Sequence, residues 1–213
     1  MKQTLKLLFG EGIFGTGWKN ALTSLGLVVA VVIVSQLKAL LNHGPAILNL
    51  RTGLDAILPV VPIFIIPYDS LMLIIYFTLA IFFLTRTRIF QSTSLALLIA
   101  WLVSYVFYIF LQTEVLRPVL LGSDVLTRMV LDVYSHEGPF SDFPSLHASL
   151  STIVAIHWFR VDRRLGVVVA IWTALIVTST VMIKQHYVAG LIPGILLAFG
   201  ASWASWRVWS KKA

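Results

Sequence analysis

The residues of this sequence best suited to do chemistry are two histidines, an arginine, a lysine and a few hydroxyls. Arg117-Pro118 follows one apolar stretch, and Pro144-Ser145-Leu146-His147 opens another. Ser179-Thr180 and Lys184-Gln185-His186 lie at the join between two more. Arginine offers a planar fork matched to phosphate oxygens, and lysine a point charge. Imidazoles beside a phosphate can share nucleophilic and proton-transfer work. Ser145-Leu146-His147 also falls at an expected helix start, where free backbone N–H groups attract anions. Cations and hydroxyls of this kind make an oxyanion site suited to phosphate. Each cluster alone has a plainer reading. Arg117 is then a side chain snorkelling to headgroups, His147 an interfacial helix-end residue, and Lys184 and His186 members of a short outer turn. The plainer readings weaken if the chain brings all three clusters to one face.

The composition says what must carry them. The 213 residues are 58% apolar and 12% charged, with no cysteine and a net charge of +7. Soluble domains are about 45–50% apolar and about 25% charged. This balance excludes a soluble enzyme, a disordered chain and a disulfide-stapled secreted fold. Crossing a hydrocarbon core takes about 20 mostly apolar residues. Six stretches qualify: Ala21–Leu41, Ser70–Thr85, Ser92–Gln112, Leu146–Phe159, Leu165–Ile183 and Tyr187–Trp206. The second and fourth are short and are expected to extend into their flanks. Ile57–Pro67 carries Pro59, Pro62 and Pro67, and prolines break helix interiors. It reads as an interfacial or re-entrant segment. The expected fold is an all-α, six-helix membrane bundle forming one domain over residues 1–213. Residues 1–20 form either an interfacial amphipathic piece or a basic flank.

Lysine and arginine favour the cytoplasmic side. Six spans put eleven basic residues on one side with only Glu11 and Asp162. The other side carries Arg51, Arg117, Arg128 and Lys184 among seven carboxylates. Both termini are therefore expected in the cytoplasm, with Lys38 snorkelling from the first span and Trp203, Trp206 and Trp209 in an aromatic belt. The basicity then reflects membrane orientation and not nucleic-acid binding. This topology brings the three clusters to the same outer face, and ionisable groups near membrane depth are functional candidates.

The blocks resemble the type 2 phosphatidic acid phosphatase superfamily, most closely its branch of inositol-phosphorylceramide synthase-like proteins. The likeness rests on Phe143-Pro144-Ser145-Leu146-His147 and Lys184-Gln185-His186-Tyr187-Val188, and covers Phe110 to Gly194. The family pattern is Lys-x6-Arg-Pro, Pro-Ser-Gly-His and Ser-Arg-x5-His-x3-Asp. The resemblance implies that His186 attacks phosphorus and forms a phosphohistidine. It implies that His147 protonates the leaving oxygen and then activates the water or alcohol that resolves the intermediate. Arg117 would clamp phosphate oxygens and Ser145 would donate to them. It implies chemistry without a metal or other cofactor, and no residue cluster has metal-ligand spacing.

Three positions depart from the pattern: Phe110 stands for Lys, Thr180 for Arg and Gly190 for Asp. Lys184, four residues after Thr180, is expected to restore a cation beside Ser179 and Thr180. The missing carboxylate would orient the nucleophilic imidazole. Asp142, five residues before His147, is the preferred substitute, with Asp132 and Glu137 as alternatives. His136 reads as a solvated loop residue, Arg128 as a loop charge, His157 as packing or interfacial, and Gly190, Gly194 and Gly200 as close-packing positions.

Three functions remain. The first is an integral membrane phosphatase that acts on a lipid phosphate at the extracytoplasmic face, in a plasma or inner membrane. The second is a headgroup phosphotransferase with the same site. The third is a non-catalytic lipid-binding or transport relative.

Overall fold

The computed structural model describes residues 11–41, 48–140 and 142–210. Among these residues the fold is all-helical, with two isolated bridges and no strand. The helices are α1 (Trp18–Gln36), α2 (Lys38–Leu41), α3 (Gly53–Ile57), α4 (Ile65–Thr85), α5 (Thr87–Phe110), α6 (Val125–His136), α7 (Leu146–Val161), α8 (Arg163–Met182) and α9 (Val188–Ser210). Short 3-10 turns lie at Ile13–Gly15 and Pro62–Phe64. Of the expected interfacial piece over residues 1–20, residues 1–10 lie outside the described residues, and residues 11–20 form the turn Ile13–Gly15 and the start of α1.

Among the described residues five helices are long and apolar enough to cross a membrane: Trp18–Leu41, Pro62–Thr85, Thr87–Phe110, Arg163–Met182 and Val188–Trp209. Their outer faces expose large apolar side chains such as Leu25, Val29, Leu73, Phe77, Val168 and Leu196. That pattern suits lipid and not water, and the chain reads as an integral membrane protein. The sixth expected span is different. α7 has 16 residues and at 1.5 Å per residue is about 24 Å long, short of a hydrocarbon core of about 30 Å. It packs against α4, α5, α8 and α9, and twelve of its residues are buried. Enclosed by other helices, α7 has no need to match the lipid thickness. Its serines let neighbours approach closely and return their hydroxyls to the helix, Ser149 to the Leu146 carbonyl and Ser151 to that of His147.

The proline segment also differs from expectation. Pro62 opens the 3-10 turn and Pro67 is the third residue of α4. Neither breaks a helix, because first-turn N–H groups have no intrahelical acceptor to lose. The second apolar element thus starts at Pro62, not Ser70. Single-residue joints at Arg86 and Asp162 fold α4 onto α5 and α7 onto α8. Asp162 caps α8 by accepting from the Arg164 and Leu165 N–H groups. At one end of the bundle these joints meet Glu11, Asn20 and Trp206 through the Glu11 carbonyl–Thr87 N–H bond, the Gln91–Asn20 bond and the stacking of Arg160 on Trp206. At the other end, Lys38, Tyr68, Glu137, Asp142, His147 and His186 come together.

Candidate active site

His186 lies in the turn between α8 and α9, two residues before Val188 opens the helix. Its Nδ1–H donates to the Asp142 carboxylate and to the Asp142 carbonyl, each at 3.0 Å. Both partners only accept, so Nδ1 carries a proton, and in the neutral ring the lone pair is then on Nε2. No hydrogen bond occupies Nε2 among the described residues, and the residue retains 6% exposure. This is the state a nucleophilic imidazole requires.

Asp142 is held just as firmly. Its N–H and that of Phe143 donate to the Thr113 hydroxyl, and its Oδ1 also accepts from the Tyr187 N–H at 2.9 Å. Its Oδ2 is buried without a partner. The carboxylate therefore caps the start of α9 while it orients His186. Gly190 explains why the carboxylate arrives from this loop. A Cβ on Gly190 would stand 2.8 Å from the Asp142 carbonyl oxygen and 3.4 Å from Oδ1. The space that a side chain at 190 would fill is taken by Asp142. A Cβ on Gly194 would stand 2.5 Å from the Ser145 carbonyl oxygen, and the Ser145 N–H donates to the Gly190 carbonyl at 3.0 Å. The close-packing reading holds for Gly190 and Gly194. It fails for Gly200, which has open space around it.

His147 faces His186 edge-on, with ring centroids 5.5 Å apart. Tyr68 stacks on its other side at 4.2 Å. The Tyr68 hydroxyl donates to Glu137 at 3.2 Å, and the Lys38 ammonium donates to the same oxygen at 2.7 Å. Burial pushes the Glu137 carboxyl up, but Lys38, His147 and the hydrogen bonds from Lys38 and Tyr68 outweigh it and hold it down at about 2. Sequence reasoning missed Lys38 and Tyr68 as site neighbours. The available signal was Lys38 itself, an ionisable residue inside an apolar stretch.

The other expected ligands are placed less simply. Ser145 is the N-cap of α7, and its Oγ accepts from the Ala148 N–H. Ser179 and Thr180 are buried and donate their hydroxyls back to the Ile176 and Val177 carbonyls. Their side chains do not line a phosphate site, although the Thr180 carbonyl holds the Gln185 and His186 N–H groups. Lys184 does not restore a cation beside them. α8 stops at Met182, Lys184 takes a left-handed φ of 53°, and its ammonium donates to the Asp55 and Leu58 carbonyls. Partial burial lowers its pKa, and the Asp55 carboxylate opposes that shift. Asp55 completes this clamp by accepting from the Val188 N–H.

Arg117 spends its fork on the chain. Nη1 donates to the Tyr134 and Glu137 carbonyls, and Nη2 to the Gly138 carbonyl and the Gln185 side chain. Its plane lies over the Tyr134 ring. Burial lowers its pKa, and only Nε–H is without a partner. Arg117 thus organises the loop that carries Glu137 and leaves one donor for a ligand. Beside these cations opens a cavity of about 390 Å³ lined by Arg51, Asp55, Arg117, Lys184 and Tyr187.

Three further expectations can be placed. Phe110, at the first family lysine position, is 72% exposed on the outside of α5. His136 and Arg128 are exposed as expected, but they lie on the helix α6 and not in a loop. His157 is at the far end of α7 and fully buried. There its Nδ1–H donates to the Ile153 carbonyl, while Nε2 accepts from Ser92 and Arg160, so its duty is internal and not interfacial. Among the described residues no group of three or more His, Asp or Glu is placed to hold a metal ion. No protein-family model, no curated protein and no solved structure matches the chain.

Proposed function

We propose that the chain is an integral membrane lipid phosphate phosphatase that works through a phosphohistidine on His186. The observation that carries this reading is the Asp142–His186 pair, in which two acceptors fix the Nδ1–H and leave Nε2 free beside a second imidazole. Nε2 attacks phosphorus as the phosphate-ester bond breaks. His147, in its protonated form, gives its proton to the departing lipid oxygen. His147 then takes a proton from water, the water oxygen bonds to phosphorus, and the P–N bond breaks to release inorganic phosphate. Asp142 stabilises the positive charge that His186 carries in the intermediate. The N-terminus of α7 contributes anion-binding N–H groups at Leu146 and His147. Arg117 contributes its remaining Nε–H.

In this reading α7 counts as a sixth, enclosed span. Both termini face the cytoplasm of a plasma or inner membrane, and the histidines face the extracytoplasmic side. The surplus of basic residues at the Arg86 and Arg160–Arg164 joints supports that orientation. A phosphotransferase reading draws on the 390 Å³ cavity lined by Arg51, Asp55, Arg117, Lys184 and Tyr187, whose charged lining suits a polar alcohol acceptor. The non-catalytic reading rested on a missing carboxylate, and Asp142 removes its motive.

The test is incubation of purified full chain with phosphatidate and polyprenyl phosphates, with and without alcohols, measuring phosphate and lipid products. Phosphate release that His186→Ala abolishes is the expected result. Products formed only with an acceptor would move the assignment to transferase. Saturable binding without turnover across the panel would overturn the enzymatic reading.

A further inference from the structure

A cavity lies at the opposite end of the bundle from the histidines. It is about 620 Å³ and is lined by Arg86, Arg88 and Arg160 with Thr87, Asn20 and Trp206. Thirteen residues of α7 separate Arg160 from His147, about 20 Å at 1.5 Å per residue. The two sites are therefore distinct.

The cavity has a built wall. The Glu11 carbonyl accepts from the Thr87 N–H at 2.8 Å. A Cβ on Gly12 would collide with the Leu84 carbonyl, so the segment before α1 is seated tightly on the α4–α5 joint. Arg160 is fixed from three sides, donating to His157 and the Ser202 carbonyl and stacking on Trp206 at 4.5 Å. Arg86 pairs with Glu11 at 3.4 Å, the one carboxylate among the described residues that line the cavity. Arg88 is exposed and forms no ion pair among the described residues. Three guanidiniums against one carboxylate leave a net positive site. An independent sign of a ligand is Thr87. Its side chain lines the cavity and the residue is 4% exposed, yet its hydroxyl has no hydrogen-bond partner among the described residues. A buried hydroxyl without a partner is costly, and an anionic oxygen in the cavity would accept from it.

We propose that this cavity binds the phosphate headgroup of an anionic phospholipid, with Arg86, Arg88, Arg160 and the Thr87 hydroxyl as its donors. A lipid and not free phosphate is the occupant because an apolar groove of about 420 Å³ starts on the same helices. It is lined by Leu25 and Val28 of α1, Phe83 and Leu84 of α4 and Phe90 of α5. Leu25 lies five residues after Asn20 and Phe90 three after Thr87, so the groove begins about one turn further along the two helices that line the cationic cavity. Basic pockets between spans are the expected recognition mode for anionic headgroups.

Purified full chain in detergent would be titrated with dioctanoyl phosphatidylglycerol, dioctanoyl phosphatidylcholine or inorganic phosphate, reading the thermal unfolding midpoint. Phosphatidylglycerol is expected to raise the midpoint saturably and phosphatidylcholine is not. Arg88→Gln removes an exposed, unpaired cation without disturbing packing and should weaken the apparent affinity about tenfold, the loss of one charge-assisted contact. Thr87→Val, which keeps the shape of the buried side chain, should weaken it severalfold. His186→Ala should leave the shift intact. Equal shifts with both lipids, or a phosphatidylglycerol shift that neither variant weakens, would overturn the proposal. So would a shift that His186→Ala abolishes, or one that inorganic phosphate reproduces in full.

Discussion

Asp142→Asn isolates the contribution of one charge. Asparagine keeps the shape of the side chain and an acceptor oxygen for both the His186 Nδ1–H and the Tyr187 N–H. The Asp142 carbonyl, 3.0 Å from Nδ1, holds the imidazole in the same tautomer. The new amide group falls where Oδ2 is buried without a partner, so it neither gains nor breaks a hydrogen bond. What disappears is the negative charge 3.0 Å from the imidazole. Against a full positive charge on His186 that charge is worth about 5.5 kcal/mol at an effective dielectric of about 20. About 5.5 kcal/mol corresponds to about four decades in rate, the size of the loss when the Asp of a Ser-His-Asp triad becomes Asn. Because the carbonyl keeps the tautomer here, the expected loss is about two to four decades.

The assay is single-turnover release of phosphate from a lipid phosphate, the substrate class of the proposed function. Circular dichroism and the unfolding midpoint confirm an intact fold. Loss of rate with the midpoint unchanged supports electrostatic stabilisation of His186. A folded Asp142→Asn protein within about threefold of wild type would refute the reasoning, since an effect that small is below 1 kcal/mol.

Gly190→Ala should strengthen the helix by propensity yet cut turnover about tenfold or more. The methyl group 2.8 Å from the Asp142 carbonyl pushes Asp142 away from His186, and a misplacement of about 1 Å can cost about a hundredfold; turnover at the wild-type rate would contradict this. Arg117→Lys should destabilise the fold by about 2 kcal/mol, because one ammonium cannot serve four acceptors spread over the loop; calorimetry that finds no change would show those bonds to be dispensable. Glu137→Gln removes a partly exposed ion pair, so screening limits the loss to about 1 kcal/mol. Glu137 has an ordinary value of 4.5 lowered to about 2 in the folded chain. Its contribution is complete above about 4.5 and is lost as pH falls towards about 2. The gap in midpoint between wild type and Glu137→Gln should therefore close across that window, and a gap that is flat with pH would deny the ion pair its role.

The residues that sequence could and could not place differ in what fixes them. Apolar length alone fixes α1, α5, α8 and α9, because lipid demands it. α7 escapes that rule: burial within the bundle replaces lipid as its environment, and its length then carries no span signal. Lys184 looked one turn from Thr180 because the spacing assumed an unbroken helix. The helix ends at Met182, and a left-handed residue sends the ammonium to Asp55 and Leu58. No local pattern announces that, since the acceptors lie more than a hundred residues away. Arg117 is similar, as its carbonyl partners belong to the Tyr134–Gly138 stretch, whose path only tertiary packing sets. Asp142 was legible for the opposite reason. A nucleophilic imidazole needs an acceptor on Nδ1 whatever its chain position, and few carboxylates lie near the histidine segments. That chemistry specifies an oxygen at a point in space and not a residue at a sequence offset. Glycine at 190 and aspartate at 142 therefore form one feature: the absent side chain makes room for the carboxylate that enters from the neighbouring loop.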